Sequence, residues 1–180
     1  MEDNGGRIVI SDPDFSEEAL GELWMHIVLV TPEIPQNSGS IARLCAATKA
    51  WMHVVKPLGY VLEDRYLKRA GLDYWPNVRL SMHESLEALE AILPRERTWL
   101  FTKGGQALYR DVAYPRGAVL VFGRESSGLP EAFVERWATQ TTRLPTSRWV
   151  RSLNLANSVS IAAYEVLRQH DWPGEDPMTS

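Results

Sequence analysis

Short apolar runs and stretches of helical periodicity alternate along this chain. Residues 26–30 (His-Ile-Val-Leu-Val) are an apolar run rich in β-branched side chains, which predicts a strand buried on both faces. Residues 39–50 predict a helix with Ile41, Leu44, Cys45 and Thr48 on one side. Residues 52–56 predict a second strand, closed by Pro57-Leu-Gly59. Residues 64–71 read as a short basic helix, and residues 78–80 as a weak strand. Residues 85–93 predict a helix stopped by Pro94. Residues 98–101 predict a strand that runs into Lys103-Gly-Gly105. The clearest strand, residues 118–122, runs into Gly123-Arg-Glu-Ser-Ser-Gly128. A helix over 130–137 has proline in its first turn, a short strand covers 141–144, and a last helix runs from 155 to 169.

Strands alternating with helices predict an α/β fold, with a mostly parallel sheet flanked by helices. In such sheets ligands sit beyond the carboxyl ends of the strands. The polar and glycine-rich turns lie there: Lys103-Gly-Gly105, Gly123 to Gly128, and the loop from Pro145 to Asn157. The last is the most informative. It sets Arg148, Arg151, Ser152, Asn154 and Asn157 directly before an apolar helix, whose first turn offers free backbone N–H groups to a polar ligand.

The 180 residues suffice for one well-buried domain. No apolar run approaches the length of a membrane span, and the acidic, polar start is unlike a secretory signal. A lone cysteine, Cys45, excludes an internal disulfide framework and fits a reducing, cytoplasmic setting. His26, His53, His83 and His170 lack metal-ligand spacing, so no metal is expected. The net charge of −4 is unevenly spread: residues 1–25 and 171–180 are acidic, whereas the body between them is mildly basic. That body is compatible with a phosphate backbone. The chain therefore divides into an acidic extension (1–24), a compact body (25–172) and a tail (173–180). Residues 16–24 suggest a short helix capped by Ser16.

Pro32-Glu-Ile-Pro-Gln-Asn-Ser-Gly-Ser-Ile-Ala-Arg43 links the first strand to the first helix. Read alone, it is equally a well-capped turn with Arg43 in solvent. Gly123 to Gly128 lacks the Gly-Lys-Ser/Thr ending of a P-loop and the spacing of a dinucleotide fingerprint. Of the seven tryptophans most should be core or interface anchors. Trp149, between Arg148 and Arg151, either packs or stacks on a base or ribose.

Three segments taken in order, Pro32 to Arg43, Leu120-Val-Phe-Gly-Arg-Glu-Ser-Ser-Gly-Leu-Pro130, and Leu144-Pro145 through Arg151-Ser-Leu-Asn-Leu-Ala-Asn157, resemble the SPOUT class of S-adenosylmethionine-dependent RNA methyltransferases. Within it the chain is most similar to the tRNA (cytidine/uridine-34-2′-O)-methyltransferases. Leu67-Lys-Arg-Ala-Gly-Leu-Asp-Tyr74 also looks like this subgroup, and the likeness covers about residues 25–172. Gln36 and Ser40 depart from its commoner proline and asparagine.

The resemblance implies a C-terminal trefoil knot, a homodimer meeting through the first and last helices, and 2′-O-methylation of wobble nucleotide 34 in tRNA. Matched residue by residue, it assigns catalysis to Asn37, Arg43, Glu125, Ser152 and Asn154. It assigns the methyl donor to Leu100, Thr102, Gly104, Gly123, Leu144, Ser152 and Leu153, with Lys103 nearby. Arg65, Lys68, Arg69, Arg148 and Arg151 are candidates for RNA phosphates. The alternatives are another tRNA or rRNA position, or an RNA-binding module of the same fold without catalysis.

Overall fold

The computed structural model describes residues 10–16, 18, 20, 23–60 and 74–172. Among the described residues seven strands form one parallel sheet: β1 (Met25–Val30), β2 (Trp51–Val55), β3 (Arg79–His83), β4 (Thr98–Phe101), β5 (Ala107–Leu108), β6 (Ala118–Phe122) and β7 (Thr141–Arg143). The order across the sheet is β3-β2-β1-β6-β4-β7-β5. β1 and β6 are central and buried at every position, as their unbroken apolar runs require.

Side chains alternate between faces along each strand, so the sheet carries two cores. One face holds Met25, Ile27, Leu29, Leu120 and Phe122. It is covered by α1 (Pro35–Thr48) and α4 (Leu155–Gln169), which also pack on each other. The other face holds Val28, Val30, Val119 and Val121. Leu89 of α2 (Leu86–Glu90) and Phe133 of α3 (Glu131–Arg136) cover it. The expected parallel sheet flanked by helices is the observed architecture.

Local chemistry explains where the boundaries differ. α1 starts at Pro35 rather than at residue 39, because proline at the first helical position has no N–H to satisfy and a pre-set φ. Ser85 caps α2 by accepting from the Ala88 N–H, and that helix ends sooner than its apolar pattern suggested. β3 runs on to His83 because its buried positions pair along the whole of β2. β5 was not expected; two residues are too few to show a period. The basic helix expected over 64–71 lies outside the described residues.

The N-terminal segment is packed onto the body where it is described. Ile10 pairs with Leu80 at the β3 edge, and the Ser11 N–H donates to the Leu80 carbonyl at 2.8 Å. Leu20 is fully buried in the second core. Phe15 lies over His26 and His53, which belong to a buried chain of three histidines: His26 Nδ1 is 2.9 Å from His53 Nε2, and His53 Nδ1 is 3.1 Å from His83 Nε2. Burial holds His26 down to about 4 and His53 well below the ordinary histidine value.

Candidate active site

The loops after β1, β4, β6 and β7 leave the sheet at its carboxyl edge and surround a cleft of about 560 Å³. Asn37, Thr102, Lys103, Gly123, Glu125, Leu144, Arg151, Ser152, Leu153 and Asn154 line it. Residues from four segments distant in sequence therefore meet in one place. Phe101 and Phe122, stacked 4.6 Å apart, add an apolar wall.

One hydrogen-bonded chain joins the three motif segments. The Glu125 carboxylate accepts from the Glu33 N–H at 2.9 Å, the Ile34 N–H at 3.2 Å and Asn37 Nδ2 at 2.9 Å. Asn37 Oδ1 in turn accepts from Asn154 Nδ2 at 2.9 Å. Asn154 caps α4, accepting from the Asn157 N–H at 3.2 Å. Ile34, the residue that caps α1, makes no side-chain cap. A carboxylate from the β6 loop stands there instead, where the positive end of the helix dipole favours it.

Glu33 completes the arrangement by the reverse exchange. Its carboxylate accepts from the Ser126 N–H at 3.0 Å and the Ser126 hydroxyl at 2.9 Å. Those bonds hold its pKa below the usual carboxylate value. Arg124 Nε donates to Thr31 Oγ1 at 2.6 Å. The β1 and β6 loops are thus clasped by two glutamates, each accepting from backbone N–H groups of the other's loop. Sequence reasoning missed Glu33, Arg124 and Ser126 as members of this clasp. The available signal was a glutamate just before a proline-initiated helix that lacks a capping side chain of its own.

Gly123 and Gly128 allow the β6 loop to close. A Cβ on Gly123 would meet the backbone of Gly128 and Leu129, and Gly128 has φ of 76°. Arg124 and Gly128 exchange both backbone hydrogen bonds, at 2.9 and 3.1 Å.

The remaining expected site residues are placed differently. Leu100 is fully buried in β4 and outside the cleft lining. Gly104 is exposed and outside the cleft lining. Arg148 lies over the Trp149 ring, 5.1 Å from its centre. Arg65, Lys68 and Arg69 lie outside the described residues. Arg43 does not line the cleft. It is exposed, with its guanidinium 5.1 Å from the centre of the Tyr74 ring. Arg43 lies six positions after Asn37 in the helix, which turns it about 120° away around the axis.

Fold and cleft together define a parallel α/β protein with its ligand site at the carboxyl edge of the sheet. The SpoU rRNA methylase family model matches residues 24–164, and the chain belongs to that family. It is 47% identical over 149 residues to the tRNA (cytidine(34)-2′-O)-methyltransferase of Methylovorus glucosotrophus (strain SIP3-4), covering 82% of this chain and 97% of that one. It is 41% identical over 152 residues to the protein of the same name from Burkholderia pseudomallei (strain 1106a), covering 83% and 97%. A solved structure described as giving insight into the 2-OH methylation of C/U34 on tRNA superposes with a TM-score of 0.76 at 46% identity, covering 82% of this chain and 96% of that chain.

Proposed function

We propose that this protein transfers a methyl group from S-adenosylmethionine to the ribose 2′-hydroxyl of wobble nucleotide 34 in tRNA. The observation that carries the reading is the Glu125–Asn37–Asn154 chain, which ties the three motif loops around one cleft. Relatives that are nearly full-length matches and bear that activity in their names support it.

The cleft suits the donor in size and lining. Its volume falls within the usual range for small-ligand sites. Leu144, Leu153 and the Phe101–Phe122 pair offer apolar contact to an adenine ring, while the backbone at Thr102 and Gly123 offers polar groups at its edges. Bound there, S-adenosylmethionine supplies an electrophilic methyl group. Ser152 and Asn154, at the mouth of α4, orient the ribose and the donor. Asn37 and Glu125 hold the two loops in register for that orientation.

A ribose hydroxyl is a weak nucleophile at neutral pH, so it must be aimed in line and its charge stabilised as the proton leaves. Arg43 fills that role as a fixed cation, since guanidinium stays protonated. It faces out of α1, away from its own cleft, so a second subunit delivers it. The functional unit is therefore a homodimer. Ile161 and Tyr164 are exposed large apolar residues on α4, one of the two helices expected to meet.

Arg148 and Arg151 are the candidates for RNA phosphates that lie among the described residues. The methyltransferase unit spans residues 25–172, and its setting is the cytoplasm. We also infer a trefoil knot. Its support is that β7 lies between β4 and β5, while the following loop returns to α4 over β1 and β6. Mass mapping of tRNA from cells with and without this gene tests the function. Loss of a ribose methyl at nucleotide 34 is the expected result; an unchanged methylation map overturns it.

A further inference from the structure

We propose that Trp149 is a stacking platform for an unpaired RNA base within one nucleotide of the methylated ribose. The inference rests on the methyltransferase reading and adds a substrate contact to it. Trp149 is 81% exposed, the most open of the large apolar side chains among the described residues. An indole left in water forgoes the burial that normally places tryptophan in cores and interfaces.

Its position is specific. Thr146 and Ser152 line the cleft, and Trp149 sits midway between them at three residues from each. Three residues span at most about 11 Å of chain, so Trp149 stays within that reach of the cleft proposed to hold the ribose. Arg148 lies over one face of the ring, 5.1 Å from its centre. A base can cover the other face, building an Arg–Trp–base stack. Arg151, which lines the cleft, adds a second cation for the adjoining phosphate.

The charge around the ring favours RNA over a second copy of the chain. In a two-fold dimer a patch at the axis meets itself, so Arg148 and Arg151 would face their own counterparts there. The apolar exposed residues of α4, Ile161 and Tyr164, carry no such penalty. Stacking tolerates any base, because every base has a π-face, so Trp149 contributes affinity for an unpaired loop rather than base identity.

The test compares wild type, Trp149→Ala and Trp149→Phe, using unmodified tRNA transcript as the probe. Trp149→Ala should raise the tRNA Kd and KM roughly tenfold, the usual effect of removing one base–aromatic stack. Donor affinity and dimer mass should stay unchanged, and Trp149→Phe should recover most of the loss. Quenching of tryptophan fluorescence by tRNA should also shrink in Trp149→Phe. An active wild type with unaltered tRNA binding in Trp149→Ala overturns the platform alone. So does dissociation of the dimer in that variant, which would reassign the ring to the subunit interface. A wild type that methylates no RNA overturns the platform together with the reading beneath it.

Discussion

Asn37 shows how much one side chain can carry. Its amide donates to Glu125 and accepts from Asn154, so it needs both a donor and an acceptor at once. Asn37→Asp keeps the shape but loses the donor and sets a second carboxylate against Glu125. We expect kcat/KM to fall roughly ten- to a hundredfold, the usual cost of a broken buried hydrogen bond, together with a lower Tm. Steady-state kinetics and thermal unfolding check this; wild-type values for both would remove Asn37 from the clasp. Asn37, Glu125 and Asn154 were legible in the sequence as residue types. Their mutual bonding was not, because it joins positions 88 and 117 residues apart. Glu33 stayed hidden for the same reason.

At the scale of elements, β1, β4, β6 and α4 were legible from apolar runs and from a polar cap before a helix. The N-terminal segment was not. Its acidic composition suggested an appendage, yet Leu20 is fully buried and Phe15 covers the histidine chain. Those contacts are long-range and leave no local period. The histidines have a consequence for stability. Their folded pKa values lie below the ordinary value of 6.5, about 4 for His26, so the unfolded chain takes up protons first as the pH falls. Stability should be complete above pH 6.5 and decline toward pH 4, by on the order of 3 kcal/mol from His26 alone. Urea unfolding at pH 7.5 and pH 5 measures it. A stability that is flat across that interval would contradict the buried neutral chain.

At the scale of the whole molecule, Arg43 provides the test of the proposed dimer. The motif containing it was plain in the sequence, but its direction was not, since helix phase separates it from Asn37 by about a third of a turn. If the partner subunit delivers it, Arg43→Ala and Ser152→Ala subunits, each inactive alone, should recover activity when mixed and refolded together. Each mixed dimer then holds one site with both residues intact. No recovery, with mixed dimers demonstrated by mass, would place Arg43 in the service of its own cleft.

The central claim is a ribose methylation at one nucleotide, and purified components test it most directly. The protein is incubated with methyl-labelled S-adenosylmethionine and tRNA lacking modification at position 34, and digested fragments are read by mass. The account predicts one added methyl on the 2′-oxygen of nucleotide 34. Label on a base, on a different nucleotide, or nowhere despite bound donor would contradict it.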